Sequence, residues 1–320
     1  MTPGMKDVAV VGAGLMGHAL ALVYALGGHR VRLTDSSAET LARAPGLMAT
    51  ALATLRDGGE VDASWTEQRL AAAVRPCATL AETVAGAELV VEAIVEQPEA
   101  KRRLYAELAG LMAPNALLAS NTSHLDIFPL VPDVLKKRAL IAHWYTPPYL
   151  VDLVDICGSP DTDPAALETV RALVAAMGKA PVVFRKFVPG YVANRIQAAI
   201  SLEVYRLLDE GVVTAHEIDA SIIHGLALRI QILGHLAKAD FTGLPLLQQT
   251  MANRSYTPPV PRGKSETLDA LLAAGHTGVM AGHGYFDWGG RSPEELFKER
   301  DRRLIALKQA VRKIGPLQGK

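Results

Sequence analysis

The residues that most restrict the fold of this chain form a glycine-rich stretch near its amino terminus. Gly12-Ala13-Gly14-Leu15-Met16-Gly17 fits the pattern G-x-G-x-x-G and lies between the apolar run Asp7–Val11 and the helix formers of Leu15–Leu26. In a strand–turn–helix unit, these glycines permit a tight turn, close approach of a pyrophosphate and close helix–strand packing. The free N–H groups of the helix N-terminus then bind the phosphates. The stretch therefore predicts a dinucleotide site.

An acidic residue stands where the second strand of such a unit ends. Asp35 follows Gly17 by 18 residues and closes the apolar run Val31–Asp35. An acid at this place binds the ribose hydroxyls of the dinucleotide. Its carboxylate would repel the 2′-phosphate of NADP, and residues 36–38 include no arginine to receive that phosphate. Asp35 therefore predicts NAD as the cofactor, while Arg32 and Arg43 leave NADP as the alternative.

Apolar runs that alternate with helical stretches predict the architecture. This alternation indicates βαβ units and a mainly parallel sheet. From Pro189 onward, helical periodicity replaces the strand-like runs. We therefore predict an α/β fold, with an N-terminal Rossmann-type, doubly wound, mainly parallel sheet over residues 1–187 and an all-α C-terminal domain over residues 188–320. The predicted strands are Asp7–Val11, Val31–Asp35, Glu88–Ile94, Ala116–Ser120, Arg138–Trp144, Val151–Ile156 and Ala180–Phe184.

Composition and charge argue against several classes of protein. Lys plus Arg and Asp plus Glu both number 33 among 320 residues, so the net charge of zero gives no footprint for nucleic acid or an acidic membrane. The uncharged stretch Val8–Gly28 is interrupted by five glycines, which argues against a signal peptide or a membrane span. Cys77 and Cys157 fit neither a disulfide framework nor a metal site, and the histidines of the second half show no metal spacing. We expect no metal, no membrane or nucleic-acid partner, and a cytoplasmic location.

Polar residues at the ends of apolar runs are the candidates for catalysis. His143 ends one run, and Asp155 lies twelve residues later in the next, a spacing that lets the two meet across a turn. A carboxylate that holds an imidazole makes it a general base with a fixed tautomer. The spacing alone also fits a core histidine near an unrelated acid. Ser123 follows another strand at the edge of the sheet where ligands bind, and Asn194 stands where the helical half begins.

Motifs along nearly the whole chain resemble the 3-hydroxyacyl-CoA dehydrogenase family in order and spacing. The resemblance implies an NAD-dependent oxidoreductase that transfers a hydride between NAD and the hydroxyl carbon of its substrate. It also implies a homodimer assembled through the helical domain, which binds the substrate as well. The motifs are residues 12–17, 90–96, 120–123, 143–147, 189–195 and 282–287.

The resemblance assigns roles residue by residue. His143 matches the general base, and Asp155 falls at the place of a glutamate that orients this base and balances its charge. Ser123 matches a serine that hydrogen-bonds the substrate oxygen, and Asn194 matches an asparagine that places substrate and nicotinamide. The residues that it implies on the nicotinamide side of the cofactor are Glu96, Lys101, Ser123 and Thr146.

Two departures from the family pattern bear on the choice of substrate. Asp155 is one methylene shorter than the glutamate at its place in the family. The family's His-Phe-Phe-Asn-Pro reads His-Trp-Tyr-Thr-Pro at residues 143–147, so Thr146 keeps a hydroxyl but loses the amide of asparagine.

Three interpretations of the function remain open in the sequence. Ser36–Gly59 contains no lysine for the phosphates of CoA, and Pro147–Leu150 resembles the branch that contains L-gulonate and carnitine dehydrogenases. Both features favour a free small 3-hydroxy acid, whose carboxylate Arg195 or Arg229 would bind, or an aromatic acid. The second interpretation is a 3-hydroxyacyl-CoA such as 3-hydroxybutyryl-CoA. A non-catalytic, NAD-binding structural protein is the third, but it would be free to lose the catalytic residues named above.

Overall fold

The chain forms two compact units of different architecture. The computed structural model describes residues 4, 6–253 and 256–317. The chain divides into Met1–Tyr191, built from strands and helices, and Val192–Lys320, which is helical. The predicted fold class, a Rossmann-type, mainly parallel sheet followed by a helical domain, is confirmed.

One sheet organises the first unit. Its strands are β1 (Asp7–Val11), β2 (Arg30–Thr34), β3 (Val74–Pro76), β4 (Leu89–Glu92), β5 (Leu117–Ser120), β6 (Ala139–Trp144), β7 (Leu153–Gly158) and β8 (Ala180–Phe184). They lie in the order β3-β2-β1-β4-β5-β6-β7-β8. All neighbours are parallel except β6 and β7, which are antiparallel. The strand order reverses between β1 and β4, the place where open α/β sheets bind their ligands.

Helices with local sequence signals at their starts connect the strands. Ser37, Thr66, Thr79 and Asp163 each cap a helix by accepting a backbone N–H with the side chain, as short polar side chains do at helix N-termini. The helices of this unit are α1 (Gly17–Leu26), α2 (Ala38–Asp57), α3 (Glu67–Ala73), α4 (Leu80–Val84), α5 (Pro98–Leu111), α6 (Asp133–Lys136) and α7 (Pro164–Ala176), with a 3₁₀ turn at Phe128–Leu130.

The core of the first unit lies on both faces of the sheet. The central strands β1, β4 and β6 are buried along nearly their whole length, which explains why they read as continuous apolar runs rather than alternating ones. Burial of whole strands fixes which residues can reach solvent. The carboxyl ends of the strands and the loops that follow them are where open α/β sheets present polar side chains to a ligand.

The second unit contains helices with few buried side chains. They are α8 (Ala193–Asp209), α9 (Ala215–Ala220), α10 (Leu228–Thr242), α11 (Leu244–Ala252), α12 (Glu266–Ala273) and α13 (Pro293–Ile314), with a π-helical segment at Ser221–Ala227 and a 3₁₀ turn at Val279–Ala281. Gly234 has a φ of 69° and interrupts α10. The described buried side chains after residue 191 are Ile218, Ser265, Leu296, Asp301 and Ile305.

Candidate active site

The glycine-rich loop joins β1 to α1 with a geometry that requires glycine at two positions. Gly12 has a φ of 100°, in the left-handed region, and a Cβ there would lie 2.6 Å from the carbonyl oxygen of Ala93. A Cβ on Gly17 would lie 1.6 Å from the carbonyl oxygen of Gly12. At Gly14 nothing lies within 4 Å of the Cβ position. Two glycines are therefore packed and one faces open space, which fits a loop that receives a dinucleotide pyrophosphate.

Asp35 is held beside this loop at the end of β2. Its Oδ2 accepts the backbone N–H of Ala13 at 2.7 Å, and its Oδ1 accepts the N–H of Ser37 at 2.8 Å. These bonds fix the half-buried carboxylate next to the turn that would hold the pyrophosphate. Asp35 therefore lies where an acid binds the ribose hydroxyls of NAD.

Three further candidate cofactor residues lie in or near the loop. Leu15 is exposed and Met16 is half-buried. The hydroxyl of Thr146 donates to the Sδ of Met16 at 3.2 Å, so the segment after β6 meets the glycine-rich loop here. This contact joins the predicted cofactor loop to the segment that follows His143.

His143 lies at the carboxyl end of β6 and is 3% exposed. The antiparallel register of β6 and β7 places it directly opposite Asp155, and directly opposite residues share one face of a sheet. The Nδ1 of His143 is 3.5 Å from the Oδ2 of Asp155, and its Nε2 is 3.2 Å from the Oγ of Ser123. The two ring nitrogens therefore have different partners, as in a base whose second nitrogen is oriented by an acid.

A short loop carries Ser123 to the imidazole. This loop, residues 121–125, is here called the serine loop, and Glu96 holds it. The Oε1 of Glu96 accepts the N–H of Ser123, His124 and Leu125 at 2.9, 3.0 and 3.2 Å and the hydroxyl of Thr122 at 2.6 Å. Burial raises the pKa of Glu96, but the N–H of His124, the Thr122 hydroxyl and the neighbouring Lys101 together bring it below its usual value.

Lys101 stands behind Glu96 in a buried polar cluster. Its ammonium donates to both carboxylate oxygens of Glu92 at 2.7 and 2.8 Å and lies 3.8 Å from Glu96. Tyr105 and Ser120 also donate to Glu92, at 2.7 and 2.5 Å. Burial raises the pKa of Tyr105 well above its usual value, so its hydroxyl remains a donor. The structure thus places Lys101 so that its ammonium spans Glu92 and Glu96.

Two tyrosines that the sequence analysis did not select enclose the imidazole of His143. The ring of Tyr145 meets it edge-on at 4.6 Å, and the ring of Tyr191 stacks on it at 4.9 Å with an angle of 24° between planes. Tyr145 had a detectable signal, since it lies two residues after His143 in a run that continues the alternation of a strand just past the end of β6. Tyr191 had none, because its approach depends on the positive φ of Gly190 and of Tyr191 itself, 78° and 48°.

Asn121 and Asn194 complete the polar residues of interest. The Oδ1 of Asn121 accepts the N–H of Trp144 at 2.8 Å and so ties the serine loop to β6. Asn194 belongs to the helical unit, where it lies half-buried in the first turn of α8. The structure therefore brings together His143, Asp155 and Ser123 within the first unit, while Asn194 is described in the second.

A cavity lies at the opposite edge of the sheet, where β4 and β5 begin. Its volume is about 490 Å³, and it is lined by residues at the amino ends of β4 and β5, by Arg138 and by the start of α7. The Arg138 guanidinium donates to the carbonyl oxygens of Ala113 and Ala116 at 2.6 and 3.1 Å. Chemistry in open α/β sheets takes place at the carboxyl ends of strands, so His143 and not this cavity marks the candidate active site.

Comparison with known proteins identifies the family of this chain. A family model described as "3-hydroxyacyl-CoA dehydrogenase, NAD binding domain" matches residues 7–187, and one described as "3-hydroxyacyl-CoA dehydrogenase, C-terminal domain" matches residues 190–288. Lambda-crystallin of Oryctolagus cuniculus is 32% identical over 238 residues, which cover 73% of this chain and 74% of that protein. L-carnitine dehydrogenase of Streptomyces griseus is 30% identical over 314 residues, covering 97% and 91% of the two chains.

A solved structure is similar over almost the whole chain. It is that of 5-formyl-3-hydroxy-2-methylpyridine 4-carboxylic acid 5-dehydrogenase, described as an NAD⁺-dependent dismutase. The TM-score is 0.85 at 26% sequence identity, and the match covers 98% of this chain and 100% of that one. The similarity therefore extends through both the sheet and the helical domain.

Proposed function

The chain belongs to the 3-hydroxyacyl-CoA dehydrogenase family and is an NAD-dependent oxidoreductase, and on that premise we propose that it acts on the hydroxyl group of a small 3-hydroxy acid with His143 as the general base. The observation that carries this proposal is the placement of the imidazole. One ring nitrogen faces Asp155 and the other faces Ser123, at the carboxyl end of β6. An imidazole between an acid and a hydroxyl is arranged to exchange a proton with a bound alcohol.

Each residue of the proposed site has a separate role in the reaction. Gly12, Gly14, Gly17 and Asp35 would hold NAD, which would supply the hydride acceptor when bound. The Nε2 of His143 takes the proton of the substrate hydroxyl, and Asp155 stabilises the imidazolium that results. Ser123 donates its hydroxyl to the substrate oxygen as that oxygen becomes a carbonyl. In the opposite direction His143 returns the proton.

Asn194 and the nicotinamide-side residues support this reaction in the proposal. The family resemblance gives Asn194 the task of orienting the substrate, and the start of α8 carries it. Glu96 acts by fixing the serine loop, and Lys101 by neutralising Glu96 and Glu92. Thr146 faces the cofactor side through its contact with Met16.

A free acid is favoured over a CoA ester as the substrate. CoA carries several phosphate groups, but Ser36–Gly59, which includes helix α2, contains only Arg43 and Arg56 as cations. The names of L-carnitine dehydrogenase and of the pyridine-carboxylate dehydrogenase also refer to small molecules rather than CoA esters. Arg195, which is exposed beside Asn194, is the cation we propose for the substrate carboxylate.

A substrate panel tests the choice of substrate. NADH formation by the purified protein is followed with L-gulonate, L-carnitine, free 3-hydroxybutyrate, a hydroxymethyl-pyridine carboxylate and 3-hydroxybutyryl-CoA. We expect turnover of a free acid and little or none of the CoA ester. Turnover of the CoA ester alone would contradict the proposed substrate class.

The role of His143 is tested by His143→Ala. We expect turnover to fall by about 10²–10⁴-fold, which is what general-base catalysis contributes, while NADH binding measured by fluorescence stays at the wild-type level. The matched control is His276→Ala, which removes an exposed histidine of the second unit and should leave turnover unchanged. Full activity of His143→Ala would disprove the assignment of the base.

We propose that the helical unit functions in a homodimer, because large apolar side chains of this unit are exposed in the single chain. The helical run Ala215–Thr242 is long and apolar enough to cross a membrane by length and composition, and its most apolar window is entirely unburied. Gly234 interrupts this run, and charged residues such as Arg229 and Lys238 lie along it. We therefore propose that a second copy of the chain covers the exposed apolar side chains of this run.

Light scattering on the purified protein tests this proposal. A homodimer is expected for the wild type, and Leu236→Glu, at a side chain 79% exposed in the single chain, should weaken it. A wild-type monomer would contradict the proposal, and so would a protein that dissolves only in detergent, because that result would identify the run as a membrane segment.

The cysteines support the further proposal of a cytoplasmic location. Cys77 and Cys157 are both free and buried, and burial raises the pKa of Cys157 to about 11. Unreactive free thiols suit a reducing compartment. Fractionation of the source cells should recover the protein with soluble cytoplasmic enzymes; recovery with membranes would argue against this location.

A further inference from the structure

The carboxylate of Asp155 has a shorter contact than the one to His143. The hydroxyl of Tyr145 donates to the Oδ2 of Asp155 at 2.6 Å, whereas the Nδ1 of His143 lies 3.5 Å from the same oxygen. Asp155 is 1% exposed, so a hydrogen bond is needed to stabilise its charge away from water. The strong hydrogen bond of the Asp155 carboxylate is therefore the one from the Tyr145 hydroxyl, and its contact with His143 is the longer of the two.

The groups around the imidazole come from several elements. Asp155 faces it from β7, Tyr145 from the segment after β6, Tyr191 from the end of the first unit, and Ser123 from the serine loop. The hydroxyl of Tyr191 is directed elsewhere, since it donates to the carbonyl oxygen of Thr122 at 3.0 Å. Tyr145 is therefore the tyrosine that combines contact with the imidazole ring and a hydrogen bond to its acid.

We propose that Tyr145 is a positioning residue that completes a His143–Asp155–Tyr145 triad and sets how firmly the pair of His143 and Asp155 retains a proton. This inference deepens the proposed function and rests on it. A hydroxyl that donates to a carboxylate shares its negative charge, which weakens the pull of that carboxylate on an imidazolium. Tyr145 thereby divides the charge of Asp155 between its own hydroxyl and the imidazole.

The departures from the family pattern fit this role. At the places where the family has a phenylalanine and a glutamate, this chain has Tyr145 and Asp155, so one hydroxyl is added where one methylene is lost. The tyrosine hydroxyl lies against the shortened carboxylate. The Tyr145 hydroxyl supplies the hydrogen bond that fixes the orientation of Asp155, although Asp155 lies 3.5 Å from the nearest ring nitrogen of His143.

The pH dependence of turnover in Tyr145→Phe tests the proposal. Without the hydroxyl, the charge of Asp155 acts undivided on the imidazolium, so the protonated, inactive form of the base persists to higher pH. We expect the acidic limb of the kcat profile for alcohol oxidation to move up by about 0.5–1 pH unit, with full recovery at alkaline pH and an unchanged KM for NAD. The matched control is Tyr24→Phe, which removes a buried hydroxyl without a hydrogen-bond partner and should leave the profile in place.

A merely structural role gives a different result. It would lower kcat by one factor at every pH, and that outcome, or an unmoved profile, would overturn the proposal. A double-mutant cycle adds a second criterion. Asp155→Glu pushes the carboxylate into the Tyr145 hydroxyl and should reduce turnover, and adding Tyr145→Phe should restore part of it; additive losses would also overturn the proposal.

Titration of the His143 imidazole by ¹⁵N NMR separates this inference from the proposed function. It needs no substrate, and the resonance is assigned by its absence in His143→Gln. An upward shift of the titration midpoint in Tyr145→Phe supports the triad even if none of the panel substrates is turned over. An unchanged midpoint, in a protein whose His143→Ala variant is inactive, leaves the proposed function in place and rejects the triad alone.

Discussion

One carboxylate oxygen of Glu96 accepts hydrogen bonds from three consecutive backbone N–H groups of the serine loop, from Ser123 to Leu125. Backbone groups that point at one anion fix the dihedral angles of the loop between them, as in other anion-binding turns. The orientation of the Ser123 hydroxyl toward His143 therefore depends on the charge of a side chain that is bound to the loop rather than to the imidazole. The consequence can be measured as a pH dependence of stability.

We predict that Glu96→Gln destabilises the protein only above acidic pH. The folded state lowers the pKa of Glu96 from 4.5, so its contribution is fully present above that pH and disappears as the pH falls through the lower, folded-state pKa. The Tm difference between wild type and variant should be constant near neutral pH and shrink below about pH 4.5. Glu107→Gln, on the exposed face of α5, is the control and should show no such trend. A Tm difference that grew on acidification would contradict the conclusion that folding lowers the pKa of Glu96.

Among elements, the glycine-rich turn and the strand ends could be predicted because their signals are local. The motif of residues 12–17, Asp35 and the apolar runs each lie within a few positions of the feature they specify. The position of Tyr191 could not be predicted, since it depends on two successive left-handed residues and on packing across the sheet. The buried partner of Lys101 is likewise a tertiary contact, between α5 and β4.

A pair of alanine variants separates the folding role of the turn from its binding role. Gly17→Ala brings a Cβ against the carbonyl of Gly12 and should destabilise the protein by about 2 kcal/mol or more. Gly14→Ala meets open space, so stability should change by no more than about 0.5 kcal/mol, whereas NAD affinity should fall at least about tenfold because the methyl occupies the pyrophosphate position. Chemical denaturation and NADH fluorescence measure the two effects. Normal NAD binding by Gly14→Ala would show that the cofactor does not approach this glycine.

At the scale of the whole molecule, the two units differ in how much of their apolar surface is covered. The first unit has many fully buried apolar side chains, among them Leu20, Tyr105 and Ile141. In the second, the described buried apolar side chains are Ile218, Leu296 and Ile305, while residues such as Leu236 and Phe241 are exposed. The first unit buries enough apolar surface to fold alone. The second unit buries little, so its stability depends on further burial of its apolar side chains.

We predict that a fragment of residues 1–191 folds cooperatively and binds NADH but has no turnover. It contains the sheet, the glycine-rich loop and His143, and it lacks Asn194 and the other helical residues of the second unit. Circular dichroism during thermal unfolding and NADH fluorescence test the first two properties, with the full chain as the control. A fragment that fails to fold would refute the independence of the unit, and a fragment that turns over substrate would refute the need for the helical unit.

The antiparallel pairing of β6 and β7 fixes one pair of residues and leaves the sequence of the connection between the two strands free to change. Hydrogen bonds between the strands fix His143 opposite Asp155, while the connection at residues 146–152 lies outside the ladder. Replacement of residues in this connection leaves the register, and thus the proton-transfer pair, unchanged. The connection can therefore vary without a change in the pairing of His143 with Asp155, so natural selection or an engineer can diversify this segment while the pair is inherited intact.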